Sequence, residues 1–110
     1  MANQVKVLVY PAKDLAKTKK FFSTYLGTEP YVDGEWYVGY RVGELEVGLD
    51  PHGEDVIAYT DTEDIEGSLE TLKGVGAKVV QEPKDVAAGL LIAKVELDGS
   101  VVGLRQQPKN

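Results

Sequence analysis

Apolar and polar positions change rhythm along this chain in an order that occurs twice. Residues 5 to 10 (VKVLVY) are rich in β-branched side chains and predict a strand. Leu15, Thr18, Phe22, Tyr25 and Leu26 then recur at helical spacing, with Asp14 placed to accept from the first free amides and Gly27 suited to close the helix. A Glu29-Pro30 pair follows, and then two strands, EWYVGYRV and LEVGLD, joined through Gly43-Glu44 as a two-residue hairpin. The second half restarts with Ile57 and Tyr59. Asp64 opens a helix with Ile65, Leu69, Leu72 and Val75 on one face, ended by Gly74 and Gly76. Glu82-Pro83 comes next, and LLIAKVELDGSVVGLRQ folds back on itself at Asp98-Gly99.

The two halves align residue by residue. Val7, Leu15, Phe22, Gly27, Glu29, Pro30, Val47, Gly48 and Leu49 correspond to Ile57, Ile65, Leu72, Ala77, Glu82, Pro83, Val102, Gly103 and Leu104. The offset grows from 50 residues (Val7 to Ile57) to 55 (Gly48 to Gly103), as loop insertions would make it. Each half is too small to bury a core alone, so the halves are expected to pack together, within the chain or across a dimer, and the 110 residues to form one domain, with module one at 1–52 and module two at 53–110.

Strand parity sorts the side chains. A two-residue turn at Gly43-Glu44 sets Val42 against Leu45, Tyr40 against Val47 and Val38 against Leu49, an apolar face to cover the helix. Tyr37, Gly39, Arg41, Glu46, Gly48 and Asp50 must then point the other way. In the second half Leu91, Ala93, Val95, Val102 and Leu104 go toward the helix, while Ile92, Lys94, Val101, Gly103 and Arg105 take the open face. Leu8 and Ala58 are assigned to the helix side, and Val7, Val9, Ile57 and Tyr59 to the open one. The expected class is therefore α+β: two βαβββ modules whose curved sheets surround a cavity, with helices on the outside.

Charge and composition narrow the partners. A net charge of −6 opposes binding to phosphate backbones, so no nucleic acid is expected. Lys13, Lys17, Lys19 and Lys20 fall on the side of the first helix away from its apolar stripe and read as a solvated face. No apolar run reaches the length of a membrane span, and MANQVKVLVYP lacks the pattern of a signal peptide. The absence of cysteine removes disulfides and thiolate metal sites and suits a cytoplasmic location.

VLVYPAKDLAKTKKFFSTYLG, the hairpin with VGLDP, the restart IAYTDTEDIEGSLETLKGVGAKVV with its QEP, and the closing LDGSVVGLRQ together resemble the vicinal oxygen chelate superfamily, which holds glyoxalase I, bleomycin-resistance proteins and extradiol dioxygenases. The resemblance covers nearly the whole chain and rests on the order and spacing of these segments. It implies paired βαβββ modules curved around a cavity, and assembly as a homodimer. It also places metal ligands on the first and last strand of each module, positions that fall here on Val7, Gly48, Ile57 and Gly103. None of these offers a donor side chain, so no metal and no other cofactor is expected. Glu46, Asp50 and His52 form an alternative triad, weakened by the linker position of His52.

Other chemistry finds little support. The single histidine leaves a Ser-His-Asp arrangement without a base, no GxSxG elbow is present, and Gly74-Val75-Gly76 ends a helix instead of opening one. Asp61, Glu63, Asp64 and Glu66 lack the EF-hand pattern and read as charges favouring a helix N-terminus. The candidate ligand-binding set is Trp36, Tyr37, Arg41, Glu46, Gly48, Tyr59, Lys94, Gly103 and Arg105, with no catalytic residue assigned. Gly48 and Gly103 are expected to leave room for a ligand, so that leucine at either keeps the fold and abolishes binding. The expected function is metal-independent binding of a small organic molecule, as in the bleomycin-resistance branch. The alternative is a glyoxalase- or dioxygenase-like enzyme with an unrecognised metal site or with Glu46 as general base.

Overall fold

The computed structural model describes residues 3–108 and contains two compact units, one spanning 6–58 and the other 59–108 with residues 3–5. Each has the expected βαβββ order. The first runs β1 (Val5–Pro11), α1 (Leu15–Leu26), β2 (Val32–Asp33), β3 (Val38–Val42) and β4 (Leu45–Asp50). The second runs β5 (Ile57–Asp61), α2 (Ile65–Gly74), β6 (Lys78–Ala87), β7 (Leu90–Leu97) and β8 (Ser100–Gln106). Strands order as β2-β3-β4-β1 in the first and β5-β8-β7-β6 in the second. In both, the opening strand lies parallel to the last one, so the helix must cross over one face of the sheet.

Local chemistry fixes the helix ends. Asp14 accepts from the Lys17 amide at 3.1 Å and Asp64 from the Gly67 amide at 3.0 Å, each satisfying a donor that has no partner in the first turn. Asp14→Ala is expected to lower stability by about 1 kcal/mol, read as a denaturation midpoint shifted without a change in slope. Gly27 closes α1 in the left-handed conformation, with its amide bonded to the Ser23 carbonyl.

The hairpin registers follow the turns. Val42 pairs with Leu45, Tyr40 with Val47 and Val38 with Leu49, as a loop of Gly43 and Glu44 requires. Leu97 pairs with Ser100 across Asp98 and Gly99, both at positive φ. Module one buries Ala12, Phe22, Val38, Tyr40, Val47 and Leu49 beneath α1, and module two buries Ile65, Leu69, Ala93, Val95 and Leu104 beneath α2. Inside the first core the fully buried Tyr40 donates its hydroxyl to the Lys19 carbonyl at 2.9 Å and meets Ser23 Oγ at 2.9 Å, so its one polar atom is satisfied.

Three assignments shift. Tyr25 is 74% exposed and Val75, past the end of α2, is 70% exposed, so neither joins its helix's buried stripe. Val102 is also exposed, because it sits closer to the hairpin tip than Leu104 and beyond the cluster that α2 covers. The Glu-Pro pairs differ as well. Glu29-Pro30 lies in the loop before the short β2, whereas Glu82-Pro83 lies inside the ten-residue β6. Pro83 is tolerated there because β6 is the outer strand of its module and the ladder shifts register between Gln81 and Lys84. Among the described residues, no helix is long and apolar enough to cross a membrane.

Candidate functional site

Each module presents one sheet face away from its helix, and the two faces are furnished differently. In module one the register sets Gly39 directly opposite Gly48, leaving a bare strip of backbone in the middle of the sheet. Tyr37 covers it. Its ring lies so close that a Cβ at Gly48 would stand 2.7 Å from Cζ of Tyr37, and one at Gly39 would stand 3.1 Å from Cε2. The Tyr31 ring reaches the same strip, 3.4 Å from that Gly39 position.

This close approach brings the two phenols to one acid. Tyr31 donates its hydroxyl to Oε1 of Glu46 and Tyr37 donates to Oε2, so each carboxylate oxygen accepts from a different ring. Arg41 faces Glu46 across the β3–β4 ladder, yet its guanidinium lies over the Tyr31 ring at 4.7 Å from the centroid. The outcome is a compact assembly of two rings, one cation and one anion upon a glycine floor. Strand β3 begins at Val38, so Tyr37 and Trp36 precede it rather than lying within it. Trp36, 69% exposed, stacks on the imidazole of His52 with ring centroids 5.5 Å apart.

Module two repeats the device with one ring. Tyr59 pairs with Gly103 across β5 and β8, and its ring lies over the glycine so that a Cβ there would stand 2.9 Å from Cγ. Lys94 is the next residue along the same row, paired with Gly103 from β7. Arg105 is held by Asp61, with Nε to Oδ1 at 2.7 Å and Nη2 to Oδ2 at 3.2 Å. This two-point pairing fixes the guanidinium and corrects the reading of Asp61 as merely a charge near a helix start. Asp64 caps α2, and Glu66 sits in its first turn.

The space expected above Gly48 and Gly103 is thus taken by the protein's own tyrosines. The absence of a Cβ serves the close approach of a side chain, which strand glycines accommodate as readily as a ligand. Glu46, Asp50 and His52 do not converge: Asp50 accepts from the His52 backbone amide at 2.8 Å, His52 stacks on Trp36, and Glu46 is bonded by the two phenols. No group of three or more His, Cys, Asp or Glu suited to a metal ion occurs among the described residues.

Of the nine candidate residues, Tyr37, Arg41, Glu46 and Gly48 come together in module one, while Tyr59, Lys94, Gly103 and Arg105 share a face of module two. Tyr31 and Asp61 were missed. The signal for Tyr31 lay in Gly39 and Gly48, because a bare strip of sheet needs a ring to cover it and Tyr31 stands just before the short outer strand. Asp61 was legible only through its parallel register with Arg105.

No family model matches the chain, and no curated protein matches it. Solved structures do match. A hypothetical protein from Bacillus halodurans C-125 superposes with a TM-score of 0.81 at 13% identity, covering 100% of this chain and 98% of that one. A glyoxalase/bleomycin resistance protein/dioxygenase superfamily member from Vibrio splendidus 12B01 gives 0.72 at 22% identity, covering 96% and 100%. Streptomyces coelicolor methylmalonyl-CoA epimerase gives 0.75 at 15% identity, covering 99% and 100%. The chain has the fold of the vicinal oxygen chelate superfamily. At these identities the likeness carries the fold and leaves the function to the site.

Proposed function

We propose that this chain is a metal-independent small-molecule-binding protein of the glyoxalase/bleomycin-resistance type, acting in the cytoplasm as a homodimer. The observation that supports the reading is the Tyr31, Tyr37, Arg41 and Glu46 assembly on the helix-free face of module one. Rings held close against a sheet offer an apolar surface at low entropic cost, and the cation and anion beside them orient whatever lies there. The four positions where the resemblance would place metal ligands carry Val7, Gly48, Ile57 and Gly103, and both glycines are instead covered by tyrosine.

A second reading follows from Glu46 itself. A carboxylate set between two phenol hydroxyls is a candidate general base toward an acidic carbon, with the phenols as neighbouring proton donors. An epimerase shares this fold, and so an enzyme on this scaffold would be no departure.

One set of measurements separates the readings. Screening small organic compounds by thermal denaturation should find ligands that raise the midpoint without being consumed, since a ligand preferring the native state stabilises by mass action. Removing the Tyr37 hydroxyl with Tyr37→Phe should weaken binding by roughly tenfold, the worth of about one hydrogen bond to a charged group. Turnover abolished by Glu46→Gln would favour the enzyme, and a stoichiometric transition metal in the purified protein would overturn the metal-independent reading. Light scattering during size exclusion reads the oligomeric state.

A further inference from the structure

Strand β6 carries an irregularity that changes where one side chain points. Val79 pairs with Val95, but the next pair is Gln81 with Lys94, so β6 spends two residues where β7 spends one. This is a β-bulge at Val80. Without it, Gln81 would share the face of Val79, which packs against the cluster under α2. With it, Gln81 stands across from Lys94 and leaves the sheet on the opposite face. The ladder continues from Lys94 to Gly103 and from Gly103 to Tyr59. Gln81, Lys94, Gly103 and Tyr59 therefore form one straight row across the helix-free face of module two. Gly103 adds no side chain between Lys94 and the Tyr59 ring that overlies it.

The chemistry of the row is one-sided. The side-chain amide nitrogen of Gln81 is buried and has no hydrogen-bond partner among the described residues. A buried N–H without an acceptor costs free energy and calls for a physical explanation. Lys94 beside it forms no ion pair among the described residues. Two acids of the same module are engaged elsewhere: Asp61 holds Arg105, and Glu96 accepts from the Gly99 amide at 3.3 Å. The fold has thus placed an amide donor and an ammonium donor side by side, with an aromatic ring two strands away.

We infer that Gln81 and Lys94 form an anchor for a carboxylate, the amide donating to one oxygen and the ammonium to the other, with the body of the ligand extending toward Tyr59. The inference rests on the small-molecule-binding reading and extends it to the helix-free face of module two, naming a ligand class there, the monocarboxylates. Two donors of this kind match the paired oxygens of a carboxylate, and the bulge is the device that brings them to one face.

The test uses benzoate as probe and benzamide as its neutral counterpart. In 15N-labelled protein, the side-chain amide signals of Gln81 are identified by their disappearance in Gln81→Met. Benzoate should shift those signals saturably, and benzamide should bind at least tenfold more weakly. Lys94→Met should weaken benzoate binding at least tenfold while leaving benzamide nearly unaffected. Gln81→Met should also weaken benzoate binding while holding or raising the thermal midpoint, since it removes an unsatisfied buried donor. A structural glutamine would lower the midpoint when replaced.

No saturable benzoate shift at Gln81, equal binding of benzoate and benzamide, or a clear destabilisation by Gln81→Met would each overturn the inference. The broader reading fails separately, if no compound of any class stabilises the protein. A ligand that binds equally well to wild type, Gln81→Met and Lys94→Met would overturn the carboxylate anchor while leaving that reading intact.

Discussion

Gly103→Ala is expected to destabilise module two by about 1–3 kcal/mol, and Gly103→Leu by more, because any side chain at that position overlaps the Tyr59 ring. Tyr59 is 7% exposed and has little room to retreat. The added atoms must therefore bend the β5–β8 pairing or expel the ring, and expelling it gives up the burial of an aromatic side chain, worth about 2 kcal/mol. Leucine at this position is thus a change to the core of the module, in contrast with the expectation from sequence that it would keep the fold and act on ligand binding alone. Chemical denaturation measures the loss. Adding Tyr59→Ala should restore part of the Gly103→Ala deficit, giving a coupling of about 1 kcal/mol or more between the two sites. Strict additivity of the two losses would show that the ring and the glycine do not depend on one another. Gly48→Ala should cost less, since Tyr37 is only half-buried and can swing outward. It should instead break the Tyr37–Glu46 bond and shift the tyrosine fluorescence.

Leu49→Ala should cost about 2–5 kcal/mol, the range for emptying a fully enclosed leucine site. Leu49 has no exposure, pairs with Val38 across the hairpin and lies in the cluster with Phe22 and Tyr40 under α1. The surrounding strands are hydrogen-bonded on both sides of β4, between β3 and β1, so the site has little freedom to collapse around the cavity. Tyr40→Phe gives a useful contrast. It keeps the packing and removes only the hydroxyl that bonds Lys19 and Ser23, so about 1–2 kcal/mol should be lost. A Leu49→Ala loss no larger than that of Tyr40→Phe would show that this cluster is not the centre of module one.

The helix-side cores were readable in advance because period-two alternation leaves no choice once a turn length is known. Gly43-Glu44 and Asp98-Gly99 each fixed a hairpin register, and the registers assigned Tyr40, Val47, Leu49, Ala93 and Leu104 to the buried face. The open faces were harder. Parity said that Glu46, Gly48, Tyr59, Lys94 and Gly103 pointed away from the helices, but parity is silent about which ring leans over which glycine. Arg41 and Glu46 stand opposite one another, a pairing that suggests an ion pair from sequence, yet two tyrosines outside the hairpin claim the carboxylate and the guanidinium settles on a ring.

The sequence by itself determined the duplicated βαβββ order, both helix caps, both hairpin registers and the division of each strand into a helix side and an open side. These depend on neighbours in the chain or on a strict geometric period, so local chemistry suffices to specify them. Only the tertiary structure decided that Tyr37 and Tyr59 fill the space above the two glycines, that Asp61 belongs to Arg105, and that a bulge at Val80 carries Gln81 across the sheet to Lys94. Each of those outcomes joins residues distant in sequence or alters the strand period itself, and a pattern read along one chain has no means of registering either.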